Sequence, residues 1–440
     1  MIVMKFGGSS VKDADRMKNV AEIVKSAISK KPVVVVSALG GITDKLIDAA
    51  NKAAKGINID KEISEIKQRH YTTLEGLKLS RQIVDSNLNE FAALLIKIAS
   101  AKEVNLRVMD HIQSFGERMS SKILAAYISS IGTKAKAFSA WDVGMITTSD
   151  FGRAEPLEES YKEMNAIIKS LKEIPIITGF IGKTEEGQIT TLGRGGSDYT
   201  AAIVGAAIDA DEIQIWTDVD GVMTADPRHI KTARTISELS FAEASEIAYF
   251  GAKVLHPKTI LPAMKKDIPV RILNTYNPAH KGTVIISKGR KTKEIIKAVS
   301  CKRNITMLSI ESSRMLGAHG FLARVFDIFE EYGTSVDMVA TSEVSISLTI
   351  DDEKKLDSII RELKEIANVR VLKNKAIVCA VGEGLKNSTG ASGKILSLMG
   401  KNKVNIEMIS QGASEINLAF VLDMKDVEKA ISALHKEFFG

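Results

Sequence analysis

The sequence predicts an α/β protein built on a mainly parallel sheet, followed by a smaller α+β module present in two copies. Three observations lead there. Over the first 280 residues, short runs of β-branched residues alternate with helical patterns, the order that a largely parallel sheet requires. From about residue 60 to residue 130 the pattern is mostly helical, which reads as a helical insertion laid on that sheet. Beyond residue 300 the chain repeats itself at an offset of 70, so that Gly320 to Met338 (GFLARVFDIFEEYGTSVDM) aligns with Gly390 to Met408 (GASGKILSLMGKNKVNIEM).

Each element has its own signal. Ile2 to Phe6 opens as a strand, and a helical stretch follows from about Asp13 to Ser29. Pro32 introduces Val33-Val34-Val35-Val36, a continuous apolar run suited to a strand covered on both faces. Further strands are predicted at Pro175 to Thr178, Gln188 to Thr191, Glu212 to Thr217 and Pro269 to Leu273, the last followed by Gly282 to Ile285. The charged segment Ser287 to Lys293 reads as a solvated linker and places a domain boundary near 290–300. Within the repeat the match resumes after a two-residue insertion, Ser342 to Ile346 against Ser414 to Leu418. Each copy therefore reads as a glycine turn, an amphipathic helix, a strand, a polar turn and an alternating strand.

Composition narrows the function classes. A chain of 440 residues exceeds the roughly 250–300 at which one hydrophobic core stops growing, so at least two domains are expected. The 60 basic and 54 acidic residues are intermixed, and no basic run is interleaved with aromatics, which argues against a nucleic-acid partner. Cys301 and Cys379 have neither a second thiol nor metal-ligand spacing near them, so a reducing compartment fits. No segment approaches a membrane span and none near Met1 reads as a leader, so a cytoplasmic protein is expected.

Five strings carry chemistry. Lys5-Phe6-Gly7-Gly8-Ser9-Ser10 lies where the first strand gives way to a helix; two glycines let backbone N–H groups approach an anion, and the lysine adds a charge. A strand followed by Gly-Gly-Ser also serves as a plain tight turn. Thr191-Leu192-Gly193-Arg194-Gly195-Gly196-Ser197-Asp198 again joins a strand to an apolar helix, and its arginine beside exposed N–H groups suits a carboxylate or phosphate. Asp198 occupies the last glycine position of a dinucleotide fingerprint, which disfavours that reading. Trp216 to Val222, with Ala225-Asp226-Pro227-Arg228, closes a strand where α/β sheets gather ligands, although Asp-Gly and Asp-Pro also simply build turns. Phe250 to Pro257 places Lys253 in an apolar string, with His256 as a packed or capping residue, and Glu117 in Ser114 to Ser120 either binds an amine or pairs with a neighbour.

Taken together and in this order, these strings resemble the aspartate kinase family of the amino-acid-kinase fold, and the resemblance runs from Lys5 to the last helix. It implies a three-layer amino-acid-kinase (carbamate-kinase-like) domain over 1–292. Two ferredoxin-like ACT domains would follow, one at 300–375 completed by 425–440 and the other at 376–424. It further implies transfer of the ATP γ-phosphoryl group to the side-chain carboxylate of L-aspartate, with Mg²⁺ held mainly through the ATP phosphates. Lys5, Gly7, Gly8 and Ser9 would hold phosphates, and Thr217, Asp218, Met223, Arg228 and Lys253 would lie along the nucleotide. Arg194 would clamp the α-carboxylate, Glu117 and Asp198 would receive the α-ammonium, and Thr43 and Ser197 would complete the substrate site, with Lys5 and Asp198 at the point of transfer. Met315, Phe321, Leu322, Val336, Asp337, Thr341, Ser342 and Glu343 match the region where lysine-sensitive relatives bind their effector; lysine is the preferred ligand and threonine the alternative. ACT domains pair edge to edge, so a homo-oligomer is expected. Met223, where many relatives carry tyrosine, and Leu39-Gly40-Gly41 depart from the family pattern. The competing readings are another carboxylate kinase of the same fold and an amino-acid sensor without turnover. Against the first stands a residue set matched to both charges of a free α-amino acid; against the second stand the intact Lys5 and GRGGSD strings.

Overall fold

A computed structural model of the chain describes residues 1–251, 255–287, 294–312, 315, 319–386, 388–412 and 414–440. The predicted linker residues 288–293 lie outside this set. The chain forms two compact units: Met1–Val222 with Ser237–Phe241 and Val254–Gly289, and Met223–Ile236 with Ala242–Lys253 and Arg290–Gly440. The expected single cut near 292 is thus corrected: two earlier segments belong with the C-terminal unit. The reason is apolar. Ala225 and Ile230 are buried in a core cluster of that unit, and the Thr224 carbonyl accepts the Val299 N–H at 2.8 Å.

The first unit opens with β1 (Ile2–Phe6), α1 (Ala14–Ser26), β2 (Pro32–Val36) and α2 (Ile42–Ala54). The insertion helices are α3 (Asp60–Gly76), α4 (Gln82–Ala101) and α5 (Leu106–Ser130), followed by β3 (Ala135–Phe138), α6 (Glu158–Ser170) and β4 (Ile174–Thr178). A hairpin of β5 (Ile181–Lys183) and β6 (Ile189–Thr191) leads to α7 (Gly196–Ile208), β7 (Glu212–Thr217), β8 (Glu238–Ser240) and α8 (Phe241–Tyr249), most of which belongs to the second unit. α9 (Leu261–Lys265), β9 (Val270–Asn274) and β10 (Thr283–Ile286) complete the set.

Eight strands form one sheet in the order β3-β4-β2-β1-β7-β9-β10-β8, parallel throughout except between β9 and β10. Every residue of β1 and β2 is buried, β2 as the unbroken apolar run that a strand between two helical layers should be and β1 with Lys5 as its one charged residue. The insertion packs Phe91 of α4 and Phe115 of α5 edge to face over the core that also holds Phe6 and Leu46, each such side chain contributing about 1.5–3 kcal/mol of burial. The register matters most for function. Phe6 lies beside Val36 and Trp216, and Val36 beside Thr178, so the turns after β1, β2, β4 and β7 emerge together at one rim.

The second unit contains β11 (Ala298–Glu311), α10 (Phe321–Glu331), β12 (Val339–Thr341), β13 (Ser345–Ile350), α11 (Leu356–Ile366) and β14 (Asn368–Val381). It ends with α12 (Ala391–Lys401), β15 (Met408–Ser410), β16 (Asn417–Asp423) and α13 (Val427–Phe439). The six-stranded sheet runs β12-β13-β11-β14-β16-β15, and the two copies of the repeat share the long antiparallel pair β11 and β14. α10 and α12 begin 70 residues apart, each behind a left-handed glycine, Gly320 and Gly390.

One expectation is overturned here. Residues 425–440 do not complete the first copy: Val427, Ala430, Ile431 and Leu434 of α13 are buried with Ile395, Met399 and Phe420 of the second. The first copy closes its own core with α11, whose Leu356, Ile359 and Leu363 meet Phe321, Val325 and Leu348. Each amphipathic helix follows the half-sheet that its own apolar stripe can cover.

Candidate active site

The turn after β1 is tied to its neighbour strand, with Gly7 N–H donating to the Trp216 carbonyl at 3.2 Å and Ser10 N–H to the Gly7 carbonyl at 2.9 Å. The turn after β2 lies against it. A Cβ on Gly8 would stand 3.2 Å from the Ala38 carbonyl oxygen, and one on Gly40 would stand 3.0 Å from the Gly8 oxygen, so only hydrogens fit between the two backbones. Lys5 reaches over these turns to the first turn of α7, where its Nζ lies 2.6 Å from Asp198 Oδ1. The strings of Lys5 and Arg194, nearly 190 residues apart in the chain, thus meet at one ion pair.

They also share one cleft of about 510 Å³. Lys5, Gly8, Thr43, Glu117, Arg194, Ser197 and Asp198 all line it. The first turns of α2 and α7 contribute Thr43 and Gly196 to Asp198, so two positive helix ends face the same space, as an anionic ligand would require. Arg194 is exposed and makes no ion pair among the described residues. Phe180 also lines the cleft and holds a left-handed backbone (φ 68°) in the turn after β4, fixed by Thr200, whose hydroxyl accepts the Phe180 N–H at 2.9 Å.

Glu117 is the most perturbed acid of the cleft. Its side chain is buried, Oε1 accepts the Ala38 N–H at 3.0 Å, and Oε2 has no partner among the described residues. Burial pushes its carboxyl up to about 8. The adjacent cation in the chain is engaged elsewhere, since Arg118 binds Glu90 at 2.7 Å. A carboxylate deprived of water with a spare oxygen fits an incoming ammonium.

Sequence reasoning missed Asp110 and Gln113. They stand seven and four residues before Glu117 on α5, on the helix face that turns toward the cleft, and Gln113 lines it. Polar residues at that spacing in a largely buried helix were the available signal.

The nucleotide-side candidates are distributed. Thr217 ends β7, next to the Gly7 turn, with Asp218 following it, and Ser9 lends its carbonyl to the Tyr276 hydroxyl at 3.0 Å. Met223 and Arg228 belong to the second unit, where the Arg228 guanidinium binds Asp226 at 2.6 Å and stays largely in solvent. Lys253 lies outside the described residues. His256 caps the short helical turn after it, its Nδ1 accepting the Lys258 N–H at 3.3 Å.

In the second unit, Asp337 is the one acid of the effector set that is buried. Lys302 Nζ lies 2.6 Å from its Oδ1, the Tyr249 hydroxyl donates to the same oxygen at 3.2 Å, Oδ2 has no partner among the described residues, and burial raises its pKa. Phe321 packs into the first copy's core with Met315 and Val336 against its margin, whereas Leu322, Thr341, Ser342 and Glu343 are exposed. The effector set therefore joins a core edge to a solvent-facing edge strand.

Comparison with known proteins agrees with this layout. The amino acid kinase family model matches residues 1–274, and an ACT domain model matches 308–361 and 378–438. The chain is 45% identical to aspartokinase 1, chloroplastic, of Arabidopsis thaliana over 99% of this chain and 80% of that one. It resembles the crystal structure of E. coli aspartokinase III in complex with aspartate and ADP with a TM-score of 0.85 and 36% identity, covering all of both chains. The same enzyme in complex with lysine and aspartate gives a TM-score of 0.84 at 36% identity, again over both full chains. Likeness that spans kinase unit and repeat alike, at this identity, leaves one assignment: the chain belongs to the aspartokinase family.

Proposed function

We propose that this chain is an aspartate kinase that converts ATP and L-aspartate to ADP and 4-phospho-L-aspartate, the entry step to lysine, threonine and methionine. The observation that carries the reading is the single cleft holding the Lys5 turn, the Arg194 turn and Glu117. Such a cleft offers an anion cradle, a carboxylate clamp and a buried acceptor for an ammonium side by side.

The roles follow from charge. The aspartate side chain, with a reference pKa near 3.9, is already ionised at neutral pH and needs no general base. The obstacle is repulsion between that anion and the phosphate tail, so positioning and neutralisation carry the reaction. Arg194 grips the α-carboxylate, Glu117 and Asp198 take the α-ammonium, and Thr43 and Ser197 bound the side chain. Lys5 exchanges Asp198 for the transferring phosphoryl group, and the N–H groups of Gly7, Gly8 and Ser9 cradle the rest. Thr217, Asp218, Met223, Arg228 and Lys253 serve the nucleotide. Mg²⁺, held through the ATP phosphates, would add charge neutralisation at the transferred group.

Feedback control belongs to the repeat. The E. coli relative is known in complex with lysine. By analogy lysine binds here around Met315, Phe321, Leu322, Val336, Asp337, Thr341, Ser342 and Glu343, the buried Asp337 meeting an ammonium. The chain acts as a homo-oligomer in the cytoplasm; no described helix is long and apolar enough to cross a membrane.

The test is an ATP- and aspartate-dependent hydroxamate assay, repeated with lysine and with threonine. Aspartyl hydroxamate formation, suppressed by lysine, is expected. Turnover of glutamate or another carboxylate in place of aspartate would overturn the reading.

A further inference from the structure

We infer that Asp110 is a positioning residue for the amino-acid half of the cleft, acting on substrate through the two backbone segments it holds. This rests on the aspartate kinase reading, and names a residue that takes no part in gripping either ligand.

Asp110 is 1% exposed, on α5, two turns before Glu117. Its Oδ2 accepts two backbone N–H groups, from Gly152 at 2.9 Å and Thr191 at 2.8 Å, and its Oδ1 accepts the Thr191 hydroxyl at 2.8 Å. Gly152 and Thr191 both line the cleft. Thr191 is the last residue of β6 and opens the string that carries Arg194. Gly152 sits in the turn packed on that string: a Cβ on Gly193 would meet the Gly152 carbonyl oxygen at 3.0 Å, and Gly193 itself holds φ 78°. The Ala154 N–H donates back to the Thr191 carbonyl at 2.9 Å. One carboxylate therefore pins both walls between which Arg194 emerges.

A merely structural role fits these facts less well. Burying a carboxylate costs several kcal/mol, and a core position on α5 would be served more cheaply by an apolar residue. What the carboxylate supplies, and an apolar side chain cannot, is a fixed separation of two loops that belong to different connections, 150–153 and 191–195. The same helix then carries Gln113 and Glu117 into the cleft, so α5 sets the Arg194 turn and the Glu117 carboxylate in one rigid frame. An α-amino acid spans those two groups, whereas the nucleotide tail rests on the β1 turn, which Asp110 does not touch. The consequence is selective: loosening Asp110 should disturb aspartate and spare ATP.

The experiment is steady-state kinetics of the full-length chain, with aspartate and ATP varied in turn, on wild type, Asp110→Ala, Asp110→Asn and Thr191→Val, alongside thermal unfolding. For Asp110→Ala, the aspartate KM is expected to rise roughly tenfold to a hundredfold, the size of effect a displacement of about 1 Å produces, with the ATP KM unchanged. Asp110→Asn, whose amide can still accept N–H groups and donate to the Thr191 hydroxyl, should recover most of that loss. Thr191→Val should shift the aspartate KM in the same direction, and adding it to Asp110→Ala should bring less than its single effect. Equal losses in both KM values and kcat that follow the fall in melting temperature would overturn the proposal and leave Asp110 a structural prop. Unchanged kinetics in a folded Asp110→Ala, or in Asp110→Asn and Thr191→Val together should the alanine variant not fold, would overturn it too. Absence of aspartate turnover in the wild type is a different result, and would count against the function rather than against Asp110.

Discussion

Replacing Glu117 by glutamine should stabilise the kinase unit at pH 8 while weakening its hold on aspartate. The two effects share one cause. Burial lifts the Glu117 carboxyl from an ordinary 4.5 to about 8, so between those limits the folded state binds a proton that the unfolded chain has released. Stability from this group is therefore full below the unfolded value and declines as pH rises toward about 8. At 1.36 kcal/mol per pH unit the decline reaches roughly 5 kcal/mol, a ceiling because the site relaxes. Glutamine suffers no such decline, so the melting temperature of the variant should exceed that of wild type at pH 8 by more than at pH 5. Aspartate binding runs the other way, since only the ionised carboxylate attracts an ammonium. With a value near 8, about one molecule in a hundred is ionised at pH 6 and about one in two at pH 8. The wild-type aspartate KM should then fall roughly fiftyfold between pH 6 and pH 8, whereas the glutamine variant should show a high and nearly flat KM. Steady-state kinetics at saturating ATP across that range decide the matter. A variant that keeps the wild-type slope, or that is no more stable at pH 8, refutes the argument.

Three further outcomes are expected. Lys5→Met, which removes the cation opposite Asp198, should lower kcat by about two to three orders of magnitude with a smaller effect on aspartate KM; a raised KM with intact kcat would make Lys5 a ground-state binder. Arg194→Ala should raise the aspartate KM about tenfold to a hundredfold, the worth of a charge-assisted hydrogen bond, and an unchanged KM sinks the clamp. Lys297→Met should destabilise the second unit by about 3–5 kcal/mol, because Lys297 and Glu243 form an ion pair at 2.8 Å with side chains 3% and 0% exposed; an unchanged unfolding transition would show that the pair contributes nothing.

Much of the fold was legible in the chain, for reasons that can be named. The Val33 to Val36 run, the Pro at position 32 and the glycines before α10 and α12 each state a local requirement that the structure obeys. Lys5 and Arg194 could be chosen because turns between strand and helix with two or three glycines have a narrow set of uses. What stayed hidden was non-local. Nothing in the string around Asp110 says that its carboxylate will close onto Gly152 and Thr191, 42 and 81 residues away. The C-terminal helix is the opposite case. α13 follows β16 as α11 follows β13, so the repeat itself, carried past β16, assigns the helix to the second copy. The excursion of Met223 to Ile236 into the C-terminal unit is held by the buried Ala225 and Ile230 and by Thr224, whose hydroxyl bonds the His435 ring at 2.9 Å, in a stretch that reads as turn.

The two copies of the repeat also argue where regulation sits. Each fastens the strand after its helix with a lysine between two acids: Lys302 with Asp337 and Asp351, and Lys375 with Glu407 and Asp423, at 2.6–2.7 Å throughout. The positions correspond, 337 to 407 at an offset of 70 and 351 to 423 at 72, and the backbone agrees, with Asp337 N–H donating to Thr349 and Glu407 N–H to Val421. Each triad carries one surplus negative charge and one acid oxygen without a partner among the described residues, on Asp337 and on Glu407. They differ in solvent. Glu407 is 18% exposed and water can settle its spare charge, whereas Asp337 is 3% exposed and receives, among the described residues, the Tyr249 hydroxyl besides Lys302. An ammonium brought by a ligand gains more where water is absent, since the same Coulomb attraction is less screened there. Asp337 is thus the acid whose charge balance an amino-acid effector would change most. Tyr249 ends α8, so the acid of the first copy is also the one hydrogen-bonded to that helix.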